Sequence, residues 1–138
     1  MTLTRRYKFS ASHRLHTPSL TVAENEQLFG KCNNPFGHGH NYVLEVSVRG
    51  QIEAHTGRVV NIGDLDGYVQ QQVLAPIDHK YMNQDVAAFC DLVPTTENLA
   101  VVIDQWLRVG WASSFPNAEL SHVRLQETER NYFELRGK

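Results

Sequence analysis

The sequence predicts an α+β fold in which two helices cover one face of a four-stranded antiparallel sheet, in the order β-β-α-α-β-β. Two segments near the start of the chain and two near its end alternate apolar and polar residues, as strands do. Between them, apolar residues recur at helical spacing. With 138 residues, 41% hydrophobic and 20% charged, the chain is predicted to be a single globular domain, residues 1–138.

The first two strands are predicted at residues 2–15 and 41–53, where the alternation is most regular. The segment between them, residues 16–35, is polar and contains Pro, Gly and Asn, which predicts a long loop. Turn-forming residues follow the second strand at 55–57. They favour a hairpin in which residues 58–62 continue the sheet.

Helical spacing begins after residue 62 and predicts a first helix over residues 65–73, with Asp64 as its cap and Pro76 at its end. Residues 77–94 are predicted to be mostly loop. An apolar stripe then predicts a second helix from about Thr96 to about Gly110.

The last two strands are predicted at residues 120–125 and 132–136, with a short turn between them. Two helices cover only one face of such a sheet, and both of its edges stay open. Open edges favour association with further copies of the chain.

Charge and hydropathy argue against nucleic acid and membrane as partners. The formal charge is −2, whereas broad nucleic-acid binding needs many cationic contacts with phosphate. No apolar run exceeds five residues, and the N-terminus has no apolar signal core, so neither a membrane span nor a secretion signal is predicted. We therefore expect a cytoplasmic protein in which Cys32 and Cys90 are reduced thiols.

Three of the seven histidines are candidates for a metal site. His38 and His40 enter the second strand, where residues i and i+2 point to the same face. His13 lies on the first strand, which can pair with the second. Three imidazoles on neighbouring strands are the ligand set of an open zinc site, with water or substrate in the fourth position. The alternative is that no metal binds here, and that His38 and His40 are exposed polar residues at the start of a strand while His13 is an isolated core histidine.

Cys32 lies in the predicted loop, with five residues between it and His38. Its thiol is compatible with a fourth metal ligand, with a proton-transfer group or nucleophile beside the metal, or with a small hydrophobe under the loop. The third interpretation suits Cys90 better, because Cys90 follows an apolar run.

The acidic candidates are weaker by themselves. Asp78 precedes His79 and is positioned to orient its imidazole, although this dipeptide is also common in solvated turns. Glu97 falls in the first turn of the second helix, where a carboxylate stabilises the helix dipole whatever its function. Glu127 ends the third strand, where an exposed carboxylate is usual.

Taken together, these residues resemble the 6-pyruvoyl-tetrahydropterin synthase family along nearly the whole chain. The resemblance is most specific in the segment from Cys32 to His40, and the matching segments occur in the family's order and spacing. They are residues 9–15 (FSASHRL), 28–42 (LFGKCNNPFGHGHNY), 61–65 (NIGDL), 78–80 (DHK), 95–98 (TTEN) and 127–128 (ET).

The resemblance implies a tunnelling fold, whose sheets join into a barrel and whose trimers stack into homohexamers with sites between subunits. It implies Zn²⁺ as cofactor and 7,8-dihydroneopterin triphosphate as substrate, converted to 6-pyruvoyl-tetrahydropterin with release of triphosphate. The zinc ligands that it implies are His13, His38 and His40. It implies Cys32 as the catalytic thiol, with Asp78 and His79 as its relay partners.

The same resemblance implies that the Glu127 carboxylate anchors the pterin, and in some accounts this residue also belongs to the relay. Thr96 and Glu97 are implied as secondary pterin contacts.

Three alternatives stay open on this scaffold. The first is 6-carboxy-tetrahydropterin synthase of queuosine biosynthesis, which takes the same substrate and releases acetaldehyde; its cysteine usually lies three residues before the His-Gly-His motif, whereas here five intervene. The second is a group that uses a glutamate in place of the cysteine, which Cys32 argues against although Glu24 and Glu26 lie nearby. The third is a non-catalytic protein that binds zinc or a pterin.

Overall fold

Five strands form one mixed sheet in the computed structural model, which describes residues 1–137. They are β1 (Thr2–His13), β2 (His38–Gly50), β3 (Lys80–Tyr81), β4 (Ala118–Thr128) and β5 (Asn131–Arg136). Their spatial order is β3-β1-β2-β4-β5, with β1 and β3 parallel and the other neighbours antiparallel. The α+β class and the four long strands are thus confirmed.

The predicted count of four strands is wrong, because the short strand β3 extends the sheet at the β1 edge. β3 has two residues, which pair with Ala11 and Ser12. A run this short has no alternation from which a strand can be recognised in a sequence. This strand fixes the position of the chain directly after His79.

The long loop predicted at residues 16–35 contains a helix, α1 (Val22–Phe29), followed by a 3-10 turn (Gly30–Asn33). The Thr21 hydroxyl accepts from the Glu24 N–H at 3.2 Å, and the Glu24 carboxylate accepts from the Thr21 N–H at 2.9 Å. This reciprocal pair is a capping box, which stabilises the first turn of a helix. The sequence signal for this helix is a threonine followed three residues later by a glutamate. The prediction missed it because it relied on apolar periodicity.

The first predicted helix is longer than expected and passes through Pro76. It consists of α2 (Ile62–Val69), a π turn (Gln70–Leu74) and α3 (Ala75–Ile77), and Asn61 rather than Asp64 caps it. The Ala75 N–H bonds to the Gln70 carbonyl, five residues back. Because this wide turn already interrupts the regular bonding pattern, the missing N–H of Pro76 does not end the helix there.

The hairpin predicted at residues 58–62 is wrong, since these residues form no strand. The Glu53 N–H donates to the Arg58 carbonyl at 2.9 Å. The Glu53 carboxylate accepts from the His55 and Thr56 N–H groups at 2.9 and 2.8 Å. These bonds close a compact loop in which the backbone groups form hydrogen bonds without joining the sheet.

The second predicted helix is confirmed as α5 (Thr96–Val109), which the Thr95 hydroxyl caps. Before it come α4 (Met82–Asp85) and a 3-10 turn (Ala87–Phe89), and after it comes α6 (Trp111–Ser114). Cys90 follows that 3-10 turn and is exposed, so its interpretation as a small packed hydrophobe is wrong.

The core lies between the helices and one face of the sheet. The residues that this face buries alternate along the strands, and they include Phe9, Ala11, Leu44, Val46, Val48, Val123 and Leu125. At its margin, the Asp66 carboxylate of α2 accepts from Arg5 Nε at 3.0 Å and from Tyr7 Oη at 2.8 Å. The Arg5 guanidinium holds the pKa of Asp66 below its usual range, and the charged network ties α2 to β1.

The other face of the sheet is polar. Glu45 lies between two arginines, with Arg6 Nε at 3.2 Å and Arg124 Nη1 at 3.8 Å from its carboxylate. On the same face, Ser47 is fully buried, and its hydroxyl forms hydrogen bonds with Thr4 and His122. Among residues 1–137, no helix has the length and apolar character needed to cross a membrane.

Candidate metal centre and active site

The sheet brings the three predicted histidines to one end of its helix-covered face. His13, the last residue of β1, pairs with His38, the first residue of β2, and Ala11 pairs with His40. His13 and His38 are therefore direct cross-strand neighbours, and His40 lies diagonally across from His13. The alternation that buries Phe9 and Ala11 also turns His13 into the protein, where its side chain is fully buried.

The imidazoles of His13 and His40 converge on a single point. Their Nε2 atoms lie 3.2 Å apart. Two nitrogens at zinc–nitrogen distance on a tetrahedral ion are separated by about 3.3 Å, so this spacing fits a shared metal ion. The His38 ring packs edge-on against His40, with 4.7 Å between their centroids.

Cys32 is the third member of this cluster. Its Sγ lies 3.9 Å from His40 Nε2, and the potential ligand atoms of His13, Cys32 and His40 all lie within 4.8 Å of one another. A thiolate and an imidazole on the same tetrahedral ion are about 3.6 Å apart, so the sulfur is at or just beyond ligand distance. The arrangement can hold a metal ion with the thiol beside it. His38 is not part of this tightest group.

Burial sets the protonation of the cluster. The pKa of His13 is lowered to about 4, first by burial and then by the neighbouring His40 imidazole. At neutral pH the His13 ring is therefore uncharged and able to bind a metal. The charge of Glu127 and the Pro94 backbone act in the opposite direction, toward a higher pKa, but burial outweighs them.

The Cys32 thiol stays protonated in the metal-free protein. Its pKa is raised by partial burial and, to a smaller extent, by the negative charge of Glu127. A nearby divalent cation acts in the opposite direction and lowers a thiol pKa. The reactivity of Cys32 therefore depends on whether the neighbouring imidazoles hold a metal.

Glu127 enters the site from β4, at a point where the pairing with β5 shifts register. Such bulges redirect side chains and are frequent beside active sites. The Thr96 hydroxyl, in the first turn of α5, donates to Glu127 Oε2. Thr96 is nearly fully buried, so its hydroxyl fixes the orientation of the carboxylate. The predicted Glu97 is exposed and lies outside this pair.

Tyr42 is a site residue that sequence reasoning missed. Its hydroxyl lies 3.4 Å from His13 Nδ1, and its side chain is fully buried. Burial, followed by the charge of Glu127, raises its pKa, so the phenol stays neutral. The signal was available, because Tyr42 follows His40 by two residues on a strand and so shares its face.

Asp78 and His79 form a separate pair at the edge of the sheet. The Asp78 carboxylate lies 3.0 Å from His79 Nδ1 and accepts from the Ser10 N–H at 2.9 Å. His79 has a positive φ of 61°, which is uncommon outside glycine, and its side chain is 81% exposed. The pair borders a cavity with Lys8, Ser10 and Asn41, residues of the polar face. Among residues 1–137 no hydrogen bond joins this pair to Cys32 or to its neighbouring histidines, although His79 and His40 line one cavity.

Comparisons with known proteins agree on one family. The family profile described as 6-pyruvoyl tetrahydropterin synthase matches residues 2–138. The 6-pyruvoyl tetrahydrobiopterin synthases of Poecilia reticulata and Homo sapiens are 46% and 45% identical, each over 99% of this chain and 90% and 91% of their own lengths. The solved structure of Caenorhabditis elegans 6-pyruvoyl tetrahydropterin synthase superposes with a TM-score of 0.88 at 38% identity, covering 100% of this chain and 96% of that one.

Proposed function

The chain belongs to the 6-pyruvoyl tetrahydropterin synthase family, and we propose that it is a zinc-dependent lyase acting on 7,8-dihydroneopterin triphosphate. Its products are 6-pyruvoyl-tetrahydropterin and triphosphate. The observation that carries the proposal is the 3.2 Å approach of two imidazole nitrogens beside a cysteine thiol. That arrangement combines a metal site with a group that transfers protons.

His13, His38 and His40 would hold the zinc ion and leave its fourth position for substrate. The cross-strand pairing of His13 with His38 and the spacing of His13 and His40 support this ligand set. When bound, zinc supplies Lewis-acid polarisation of the substrate's side-chain hydroxyls. The Tyr42 hydroxyl, 3.4 Å from His13 Nδ1, holds the His13 ring in place for that task.

Cys32 moves the protons. Its thiolate removes a proton from the substrate side chain, and the electron pair left on carbon expels triphosphate as the carbon–oxygen bond breaks. The ring and side chain then exchange oxidation level internally, so no external oxidant or reductant is needed. The cytoplasmic location that we propose keeps this thiol reduced.

Glu127 anchors the pterin. A carboxylate accepts two hydrogen bonds from the N3–H and the amino group of a pterin edge, which gives a charge-assisted contact at two points. The hydrogen bond from Thr96 orients Glu127 before the substrate binds. Thr96 and Glu97 complete the proposed pterin contacts.

Changing Glu127→Gln is expected to weaken the binding of dihydroneopterin by about 10- to 100-fold, because the amide loses the charge and replaces one acceptor with a donor. Metal content and assembly stay unchanged. Calorimetric titration of the purified variant measures the affinity. Glu129→Gln, on the exposed turn after β4, is the matched control. An affinity equal to that of the control would remove Glu127 from the pterin site.

We infer that a second copy of the chain completes the relay between Cys32 and His79. Cys32 lies with the histidines on the helix-covered face, whereas Asp78 and His79 border a cavity of the polar face. We therefore place His79 of one subunit beside Cys32 of a neighbour. A homohexamer whose sheets join into a barrel, formed from two trimers, provides such interfaces and covers the open sheet edges.

Co-expression of Cys32→Ala with His79→Ala is expected to restore roughly a quarter of the wild-type turnover, because random assembly creates sites in which both contributing subunits are intact at that position. Each variant alone is inactive. Co-expression of either one with the Cys32→Ala/His79→Ala double variant serves as the control. A mixture no more active than this control contradicts the shared site.

Release of triphosphate tests the proposed function. Purified protein loaded with zinc is incubated with 7,8-dihydroneopterin triphosphate, and inorganic triphosphate is measured over time. We expect multiple turnovers, none after removal of the metal by a chelator, and recovery when zinc is returned. The absence of release from zinc-loaded protein would leave a protein that binds zinc or a pterin without catalysis.

A further inference from the structure

We propose that Asn33 is a positioning residue for Cys32. Its buried side-chain amide fastens the 3-10 turn that carries Cys32 to the chain leaving β1 directly after His13. The inference rests on the proposed function, because it concerns where the thiol is held for proton transfer. Asn33 itself is assigned no contact with the substrate or the metal.

Hydrogen bonds join the two segments residue by residue. Asn33 Nδ2 donates to the Leu15 carbonyl at 2.8 Å, and the Leu15 N–H donates to the Cys32 carbonyl at 2.7 Å. Arg14 Nε donates to the Asn33 carbonyl at 3.1 Å. The backbone of Cys32 is thus held to the residues that follow a metal-site histidine.

The side chain of Asn33 is the buried part of this attachment, because it is only 5% exposed. A buried donor left without its acceptor costs free energy, so the amide strongly favours the docked turn. The same amide nitrogen, Asn33 Nδ2, also lies 3.3 Å from His16 Nδ1. Asn34, the next residue, is exposed and bonds only locally, with its Oδ1 accepting from the Phe36 N–H at 3.1 Å.

Glycines with positive φ lie on both sides of the turn, and only the second is closely packed, since a Cβ at Gly37 would lie 3.1 Å from the Tyr81 ring. Gly30 at its start has a φ of 55° and Gly37 beyond its end has a φ of 87°. A side chain built at Gly30 would meet no atom within 4 Å, so no packing holds the chain there. Glycine at such points permits the backbone to adopt other directions.

The chain after β1 is itself held firmly. Asn83 of α4 accepts from the Arg14 N–H and donates to the Arg14 carbonyl, both at 2.8 Å. Arg14 and Leu15 therefore form a fixed support, with α4 on one side and the Cys32 turn on the other. The 3.9 Å separation between Cys32 Sγ and His40 Nε2 is set relative to this support.

Asn33→Asp replaces the amide donor with a carboxylate oxygen that faces the Leu15 carbonyl. We expect kcat to fall by about 10- to 100-fold, because a misplacement of about 1 Å has an effect of this size on a reacting group. KM changes by less than about threefold, since the pterin contacts are untouched. Asn34→Asp keeps its acceptor oxygen, so it is the matched control and retains the wild-type kcat.

A second readout does not depend on turnover. In a Cys90→Ala background Cys32 is the only thiol, and its alkylation by iodoacetamide reports how firmly the turn is docked. We expect Asn33→Asp to raise the alkylation rate several-fold, while metal content equals that of Asn34→Asp. If alkylation rises but the parent protein releases no triphosphate, the docking role stands and the proposed function fails.

Asn33→Ala is measured in parallel, below the melting temperature of each protein, because it removes the donor without adding a charge. Either folded variant decides the matter. Wild-type kcat together with a wild-type alkylation rate overturns the inference. Loss of metal also overturns it, because the effect would then lie in the histidine cluster rather than in the thiol.

Discussion

We expect Cys32→Ala to lower kcat by about 100- to 10,000-fold, the range that follows removal of a proton-transfer group. We expect this variant to keep one zinc ion per subunit, because the proposed ligands are imidazoles. The thiol lies 3.9 Å from His40 Nε2, at or just beyond the distance expected between two ligands of one ion, so the metal content of this variant distinguishes a proton-transfer group from a fourth ligand. Steady-state kinetics and metal analysis on the same preparation measure both quantities.

The matched control is Cys90→Ala, which removes the protein's other thiol. Cys90 is exposed and lies outside the histidine cluster, so this variant retains the wild-type turnover. If Cys32→Ala lost its zinc, the thiol would be a fourth ligand and the open-site account would be wrong.

We expect His40→Ala to remove both the metal and the activity. His40 is the central member of the cluster, since its Nε2 lies 3.2 Å from His13 Nε2 and 3.9 Å from Cys32 Sγ. A metal site that loses one of three protein ligands binds its ion far more weakly. We expect zinc content near zero after dialysis, and turnover reduced to the level of the chelated protein.

His55→Ala is the control for the loss of an imidazole, because His55 lies on an exposed loop. It retains the wild-type zinc content and turnover. His38→Ala tests the third ligand separately and is expected to lower zinc affinity. Full zinc occupancy in the His38→Ala/His40→Ala double variant would contradict the proposed metal site.

Much of the site follows from local patterns in the sequence. Alternation in two strands is enough to put His13 and His40 on one face, because side chains two residues apart on a strand share a side. The structure pairs the two strands and places His13 directly opposite His38. Thr96 and Glu127 meet through packing of α5 against β4. The family resemblance implies pterin contacts for both residues but not the hydrogen bond between them.

The remaining features depend on tertiary context. The helix that contains Pro76 continues because a π turn precedes the proline, and no single-residue propensity encodes that turn. Strand β3 is too short to have a period, yet it places His79 at the sheet edge. The sequence therefore does not reveal that, among residues 1–137, Asp78 and His79 bond to each other and to Ser10 rather than to the Cys32 cluster.

The mass of the organic product tests the central claim most directly. Zinc-loaded protein is incubated with 7,8-dihydroneopterin triphosphate, and the pterin products and any acetaldehyde are identified by mass spectrometry. We expect 6-pyruvoyl-tetrahydropterin and triphosphate, with no acetaldehyde. Acetaldehyde together with a 6-carboxy-pterin would contradict this account and show that the same site catalyses carbon–carbon cleavage.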